Sequence, residues 1–284
     1  MTGLKKAAAC LVWAVASAGA GASVLQAAQP EPWQLGLQPA ASAMMESMVS
    51  FHNLLLVIIT AIVLFVMGLL AWVMYRYREN ANPIPSKTSH NTTIEVLWTI
   101  IPVLILVVIA IPSFRLLYAQ HAYPPADLTI KAVGRQWYWS YEYPDQGNFT
   151  FDSYMVEDGD LKPGQPRLLA VDNEVVVPVN KVVHVLVTAS DVMHNWNIPA
   201  FGSKIDAIPG RVNRTWFVAR ETGVFYGQCA ELCGARHAYM PIAVRVVTDD
   251  EFAKWIEQAK QTFASADPDA AAATVKLAAA DAAK

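Results

Sequence analysis

The stretch LLLVIITAIVLFVMGLLAWVMY, residues 54–75, carries no charged side chain along its whole length. A helix of about 20 residues is long enough to cross the ~30 Å hydrocarbon core of a bilayer. A buried helix of a soluble protein is the alternative, but such helices rarely stay uncharged on every face over this length. The stretch therefore predicts a membrane span, which we place at residues 49–78.

A second apolar stretch, VLWTIIPVLILVVIAIPSF at residues 96–114, predicts another span over 94–118. Pro102 and Pro112 are compatible with a membrane helix whose neighbours satisfy the freed carbonyl groups. The intervening loop, residues 79–93, is flanked or occupied by Arg76, Arg78 and Lys87, which favours a cytoplasmic location. Both outer ends of this hairpin then lie outside the cytoplasm.

The N-terminal stretch MTGLKKAAACLVWAVASAGAGASVLQAA, residues 1–28, has two lysines, a short apolar segment and then small residues. This order is typical of a secretory signal peptide, and a retained weak membrane segment is the alternative. With residues 29–48 as a periplasmic segment, the pattern predicts a two-span hairpin that holds a large exported domain.

Residues 119–248 read as short runs rich in valine, threonine and aromatic side chains, separated by turn sequences such as YPDQGN and KPGQP. Several short strands at this spacing predict an all-β sandwich or barrel. The stretch DDEFAKWIEQAKQTFA predicts one amphipathic helix, followed by an alanine-rich tail, so that residues 249–284 form a C-terminal extension. The net charge of −3 argues against nucleic acid as a partner.

The stretch GQCAELCGARHAYMP, residues 227–241, contains two of the three cysteines of the chain. Cys229, Cys233, His237 and Met240 follow one another at short intervals. A disulfide and a tetrahedral zinc site are the simpler interpretations, but neither gives a role to the methionine. Thiolate, imidazole and a weak thioether ligand on a β-sandwich are typical of copper. His194, which follows the predicted strand KVVHVLVTAS, supplies the second imidazole, whereas His184 lies within that strand and is interpreted as a packing or surface residue.

The second cysteine departs from the ligand set of a single-copper site. Two neighbouring thiolates can each bridge two metal ions, so the pattern favours a binuclear centre. Because every coordination position would be filled, such a centre suits electron transfer rather than bond making.

At this point the sequence resembles the bacterial cytochrome c oxidase subunit II family, from the signal peptide through the helix pair to the β-domain. The resemblance implies a cupredoxin-like Greek-key sandwich or barrel carrying two copper ions, the CuA centre. It implies these ligands: His194, Cys229, Cys233, His237, Met240 and the backbone carbonyl of Glu231. It also implies that the Glu231 side chain helps to bind a magnesium ion shared with subunit I.

The resemblance implies further roles outside the copper loop. Trp137, in GRQWYWSYEYPD, matches the residue through which electrons enter, while Trp139 is expected to pack inward. Glu95 matches the entrance of a proton path in subunit I, although a glutamate at a helix N-terminus is also favoured by the helix dipole. The docking surface for a basic cytochrome c would include Tyr138, Glu142, Glu157, Asp172 and Asp191.

The expected function is that of an oxidoreductase and proton translocase subunit. Electrons from reduced cytochrome c would reach the copper centre and then haem in subunit I, where oxygen is reduced to water and protons are pumped. The chain alone is not expected to reduce oxygen. Three alternative functions fit the sequence less well. A quinol oxidase subunit would lack the copper ligands that this sequence has, and nitrous oxide reductase would need a propeller domain. A copper chaperone or sensor would favour exposed, exchangeable ligands.

Overall fold

The computed structural model describes residues 28–263. The predicted signal peptide therefore lies outside the described residues except for Ala28, and the alanine-rich tail beyond Phe263 lies outside them as well. Within the described part, the chain forms two long apolar helices followed by a β-domain and one further helix.

The two apolar helices, α1 (Ala43–Arg76) and α2 (Thr92–His121), form the predicted transmembrane hairpin. Both helices begin before the predicted spans, because each has an N-cap outside the apolar stretch, and α1 ends at Arg76, two residues before the predicted end. Ser42 Oγ accepts a hydrogen bond from the backbone N–H of Met45, and Asn91 Oδ1 accepts one from that of Ile94. The α2 helix continues through Pro102 and Pro112.

The start of α1 is fixed to the β-domain. Ser42 Oγ donates a hydrogen bond of 2.8 Å to the carbonyl of Phe201, and the backbone N–H of Ala41 donates one to the carbonyl of Ala200. Arg220 of the domain forms a 2.8 Å ion pair with Glu46 in the first turn of the helix. The domain is thereby attached to the membrane hairpin by side-chain contacts as well as by the connection after α2.

The larger sheet of the β-domain contains five strands in the spatial order β3–β2–β1–β5–β8. Residues alternate between buried and half-buried along β1, which places Leu128, Ile130 and Ala132 in the core. β1 and β5 are parallel, and the other neighbours are antiparallel. The strand bounds are β1 (Leu128–Arg135), β2 (Tyr138–Tyr143), β3 (Phe149–Ser153), β5 (Val182–Ala189) and β8 (Asn213–Val218).

A three-stranded sheet, β4–β10–β9, and a two-stranded ribbon, β6–β7, complete the domain. The core is continuous between these sheets and is rich in aromatic side chains. The predicted membrane-anchored all-β domain is thus confirmed. The remaining strands are β4 (Val175–Pro178), β6 (His194–Ile198), β7 (Ser203–Ala207), β9 (Gly223–Gln228) and β10 (Pro241–Val247).

The C-terminal helix α3 (Asp249–Thr262) forms in the stretch for which the sequence predicts a helix, and it packs over one end of the core. Its N-terminus has a capping box, in which Thr248 and Glu251 satisfy each other's backbone N–H groups. Trp255 on this helix packs against the rings of Tyr143 and Phe149, with centroids 5.2 and 5.8 Å away. The helix therefore covers the aromatic core at the end of the β2–β3 hairpin.

Candidate metal centre

The cysteine-rich loop is held at its base by the β9–β10 hairpin. Gln228 pairs with Pro241 across the two strands, and one position further the backbone N–H of Cys229 donates to the carbonyl of Met240 at 3.4 Å. The two ends of the loop, Gln228 and Pro241, are thus adjacent across the hairpin. Its closing turn is a short 3₁₀ helix, His237–Tyr239, which turns the histidine back toward the cysteines.

The two cysteines lie at the centre of the donor set. Their Sγ atoms are 3.9 Å apart, and both residues are free cysteines rather than a disulfide. The Cys229 Sγ lies 3.3 Å from the carbonyl oxygen of Glu231 and 3.9 Å from Nδ1 of His194. One carbonyl and one imidazole therefore accompany this first thiol.

A second pair of donors accompanies Cys233. Its Sγ lies 3.5 Å from Nδ1 of His237 and 3.5 Å from Sδ of Met240. The donor atoms of His194, Cys229 and Cys233 all lie within 4.8 Å of one another. All six ligands that the family resemblance implies are therefore brought together around the two thiols.

The centre is shielded from solvent. His194 is fully buried, and Cys229, Cys233 and Met240 are each at most 5% exposed. His237 is only half-buried and lies at the outer side of the loop. A metal ion that exchanges with solvent would need exposed donor atoms. The burial of these donors therefore fits a permanently bound ion.

The chemistry of the donor set fits copper better than zinc. Structural zinc takes four ligands, from cysteine, histidine or carboxylate, and has little affinity for a thioether. Two thiols, two imidazole nitrogens, one thioether and one carbonyl exceed that number and are soft or borderline donors, which copper prefers. The close approach of two thiols also allows both to be shared between two ions.

The two thiols differ in acidity for a physical reason. Burial raises the pKa of Cys229. Hydrogen bonds from His194 and from neighbouring backbone groups lower this pKa by a larger amount, so the net shift is downward. Burial and the negative charge of Cys229 raise the pKa of Cys233. Two thiolates this close repel each other, and a bound cation removes that repulsion.

His194 is oriented by Asp191, three residues earlier in the chain. The Nε2 of His194 lies 2.9 Å from Asp191 Oδ1, which leaves Nδ1 directed at Cys229. Asp191 also accepts hydrogen bonds from the backbone N–H groups of Gln136 and Val192. Burial raises the pKa of Asp191, but these three donors lower it below its usual value. Such carboxylate–histidine pairs fix the tautomer of a metal ligand.

Two glycines allow this packing, and sequence reasoning did not single out either one. A Cβ at Gly134 in β1 would lie 2.7 Å from Cδ2 of His194, so only glycine leaves room for the ring. A Cβ at Gly227 in β9 would lie 1.8 Å from the carbonyl oxygen of Asn197 in β6. The strand carrying His194 and the strand leading to Cys229 therefore cross in backbone contact.

The tryptophan-rich turn between β1 and β2 contacts the metal loop directly. Trp137 Nε1 and Gln136 Nε2 both donate to the carbonyl of Cys233, at 3.2 and 2.9 Å. Trp137 is half-buried at the surface of this contact. Trp139 is fully buried, as predicted, and its Nε1 donates to the carbonyl of Met240 at 3.4 Å.

The predicted docking residues occupy different environments. Tyr138 stacks on Tyr154, with ring centroids 4.5 Å apart. Two of the acids are already paired, Glu142 with Lys131 at 3.0 Å and Glu157 with Arg236 at 2.8 Å. The remaining two, Asp172 and Asp191, accept backbone N–H groups.

Two other predicted residues lie away from the centre. Glu95 is in the first turn of α2, where its Oε1 accepts the backbone N–H of Asn91 at 3.4 Å. A glutamate in the first turn is also favoured by the helix dipole alone. The proton-path role of Glu95 stays a prediction. His184 lies within β5 and its Nε2 is 2.8 Å from the Pro124 carbonyl, so it is a packing residue as predicted.

Comparison with known proteins identifies the family of the chain. The chain matches the profile "Cytochrome C oxidase subunit II, periplasmic domain" over residues 128–247 and the profile for the transmembrane domain of the same subunit over residues 30–116. "Probable cytochrome c oxidase subunit 2" of Rickettsia bellii (strain RML369-C) is 53% identical over 241 residues, which are 85% of this chain and 90% of that protein.

Similarity extends to a plant protein and to a solved structure. "Cytochrome c oxidase subunit 2" of Zea mays is 48% identical over 233 residues, 80% of this chain and 89% of that protein. The crystal structure of the periplasmic domain of subunit II of cytochrome oxidase (CoxB) of Bradyrhizobium japonicum is 65% identical, with a TM-score of 0.48, and the match covers 50% of this chain and 99% of that chain. From the two profiles and the relatives at about half identity, the chain belongs to the cytochrome c oxidase subunit II family.

Proposed function

We propose that this chain receives electrons from reduced cytochrome c at a binuclear copper centre and passes them to haem in subunit I, where oxygen is reduced to water and protons are pumped. The observation that carries the proposal is the convergence of four further donors on two neighbouring thiols. Two copper ions bound there would supply reversible one-electron oxidation and reduction.

The residues of the loop would hold the ions without rearrangement. Cys229 and Cys233 come from one loop whose ends are joined by the β9–β10 hairpin, and His194 comes from a separate strand fixed to the same core. Asp191 holds the His194 ring from behind at 2.9 Å. A rigid, pre-organised donor set changes little with oxidation state, which favours rapid electron transfer.

Burial supports a role in electron transfer rather than in oxygen chemistry. Met240 and the two thiols are buried, and Trp137 and Trp139 donate hydrogen bonds to the carbonyls of Cys233 and Met240. With every donor directed at the thiols, no ligand position is left for a substrate. The reduction of oxygen would accordingly belong to subunit I.

Trp137 is the proposed entry residue because it connects the surface to the centre. Its ring is half-buried, and its Nε1 donates to the carbonyl of the ligand Cys233. Cytochrome c would dock over this ring and over Tyr138, Glu142, Glu157, Asp172 and Asp191. Glu157 and Arg236 are both exposed, so a lysine of a basic partner could replace Arg236 as the partner of Glu157.

The remaining predicted features belong to the assembled enzyme. The side chain of Glu231 would bind magnesium at the junction with subunit I, and Glu95 would lie at the cytoplasmic entrance of a proton path in that subunit. The hairpin would sit in the bacterial inner membrane with the copper domain on the periplasmic side. The loop between α1 and α2 supports this orientation through Arg78 and Lys87.

The proposal is tested by mixing the copper-loaded full chain with reduced cytochrome c and following cytochrome oxidation by stopped flow. Trp137→Phe should slow the transfer without lowering the copper content. Higher salt should slow the association with cytochrome c for both the unmodified chain and the variant. Trp33→Phe is the matched control, because Trp33 is almost fully exposed and outside the centre. Equal rates for the Trp137 variant and the control would rule out Trp137 as the entry residue, and no transfer in the unmodified chain would rule out the function.

A further inference from the structure

The outer side of the copper loop, residues 229–240, is exposed and carries one arginine. Arg236 is the only lysine or arginine in the stretch 227–241, and its side chain is 52% exposed. It directly precedes His237, at the start of the short 3₁₀ helix that closes the loop. Leu232 and Tyr239 of the same loop are also exposed. Arg236 is therefore the one fixed positive charge that the copper loop presents to a partner.

A second loop, residues 156–170, reaches this arginine. The ends of this loop are joined by a hydrogen bond of 2.9 Å from the backbone N–H of Val156 to the carbonyl of Ala170. The side chain of Glu157 extends from the loop to Arg236, and its Oε1 lies 2.8 Å from the arginine Nη2. The ion pair thus connects two loops whose paired residues are 79 positions apart in sequence.

Both loops adjoin the proposed entry residue. A Cβ at Gly234 would lie 3.1 Å from Cζ2 of Trp137, so the copper loop contacts the ring two residues before Arg236. Two residues of chain span at most ~7 Å. The second loop follows Tyr154, which stacks on Tyr138 beside Trp137 with ring centroids 4.5 Å apart. The ion pair therefore lies at the rim of the surface over which cytochrome c is proposed to dock.

The ion pair changes the charge that an approaching lysine meets. Glu157 alone would attract a lysine, but Arg236 lies within hydrogen-bond distance of that carboxylate and repels the same lysine. Exposed ion pairs are weak, so both side chains stay available to a partner. Two unit charges ~6 Å apart in water interact strongly enough to change an association rate about threefold. Arg236 is therefore close enough to the docking surface to slow the association of a lysine-rich protein.

We infer that Arg236 is a specificity-determining residue of the docking surface, which rests on the function proposed above. Arg236 cancels the charge of Glu157 and so slows the association of cytochromes that carry a lysine opposite the copper loop. A cytochrome with an uncharged or acidic side chain at that point meets no such repulsion. Arg236 would select among cytochromes by charge alone, since it is not one of the six ligands of the metal centre.

The test mixes the copper-loaded full chain in detergent with a reduced, lysine-rich cytochrome c and follows cytochrome oxidation by stopped flow. R236Q should raise the second-order rate constant about threefold at about 10 mM salt, where the Debye length is ~30 Å. The increase should disappear at about 1 M salt, where the Debye length is ~3 Å. E157Q, which leaves the positive charge of Arg236 uncompensated, should lower the rate constant about threefold at low salt.

A second form of the cytochrome tests whether its lysines are the groups that Arg236 repels. When the lysines of the same cytochrome c are acetylated, R236Q should match the unmodified chain, because the repelled charges are gone. Copper content and the electron paramagnetic resonance spectrum should be the same in R236Q as in the unmodified chain. R236K keeps the positive charge and should retain the unmodified rate constant.

K181Q is the matched control for the loss of one exposed positive charge. Lys181 is also paired with a carboxylate, that of Asp249 at 3.8 Å, and Asp249 follows the far end of β10. β10 begins beside the copper loop and spans ~20 Å, so K181Q should leave the rate constant nearly unchanged.

An unchanged or lower rate constant in R236Q, or an equal increase in K181Q, would overturn the assignment of Arg236. An increase that persists at high salt or with the acetylated cytochrome would overturn it as well, since it would not arise from charge. No electron transfer in the unmodified chain would refute the proposed function and this role of Arg236 with it. Transfer at the same rate in R236Q and the unmodified chain would refute the role of Arg236 alone.

Discussion

The crossing of β6 and β9 sets the distance between the two parts of the metal centre, and Gly227→Ala tests it. Gly227 lies two residues before Cys229, and its Cα faces the carbonyl of Asn197, three residues after His194. An added Cβ would lie 1.8 Å from that oxygen and 2.8 Å from Cδ1 of Ile198. The nearest obstacle is backbone, so no side-chain rotation relieves the clash.

The size of the effect follows from ordinary contact distances. Carbon–oxygen contacts are ~3.3–3.6 Å, so the two strands must separate by ~1.5 Å near the crossing. Overpacking of a core costs about 1–3 kcal/mol, and a backbone obstacle places this substitution near the upper end. For a domain of this size, ~3 kcal/mol lowers Tm by about 10 °C. A metal site tolerates errors of ~0.2 Å in ligand distance, so copper binding should fail as well.

The assay is thermal unfolding of the metal-free full chain in detergent, followed by near-ultraviolet circular dichroism, with copper content measured after reconstitution. Gly159→Ala is the matched control, because no atom lies within 4 Å of a Cβ at Gly159. The control should match the unmodified chain in both measurements. A Gly227→Ala protein with unchanged Tm and full copper content would refute the argument that the strand crossing positions His194 against Cys229.

Three further perturbations have defined outcomes. Asp191→Ala should weaken copper binding about 10- to 100-fold in a chelator competition, because His194 loses the partner that fixes its tautomer; unchanged affinity would remove that role. Met240→Leu should change the free energy of unfolding of the metal-free chain by less than about 1.5 kcal/mol, since the volume is conserved, while redox titration should give a higher reduction potential because a weak donor is lost. Glu251 has its pKa lowered by hydrogen bonds from the backbone and side chain of Thr248; its contribution to stability is present above its unfolded pKa of about 4.3 and is lost as pH falls through the lower folded pKa. Thermal unfolding between pH 6 and pH 3 should therefore show a stability advantage over Glu251→Gln that disappears at the acid end, and a constant difference would contradict the capping argument.

The membrane hairpin was predictable because its signal is purely compositional. The uncharged run at residues 54–75 needs no tertiary contact to be recognised. The true helix ends were not predictable from that run, since α1 begins at Ala43 through a cap that also contacts Phe201 of the β-domain. Helix ends depend on such caps and contacts, which lie outside the apolar pattern.

The cluster of donor residues was also predictable, because the chain has only three cysteines and two of them lie in one loop with a histidine and a methionine. The residues that position these donors were not predictable in the same way. Asp191 was predicted only as a docking acid, although its spacing of three residues before His194 was a usable signal for a carboxylate–histidine pair. Gly134 and Gly227 carried no local signal, because each is required by a strand that is distant in sequence. Close backbone contacts of this kind become visible only once the sheets are assembled.

The central claim is that two copper ions share Cys229 and Cys233, and metal counting combined with electron paramagnetic resonance of the reconstituted full chain tests it most directly. The account predicts two coppers per chain, with one unpaired electron coupled equally to both copper nuclei. One copper per chain with coupling to a single nucleus, or a preference for zinc over copper, would contradict it.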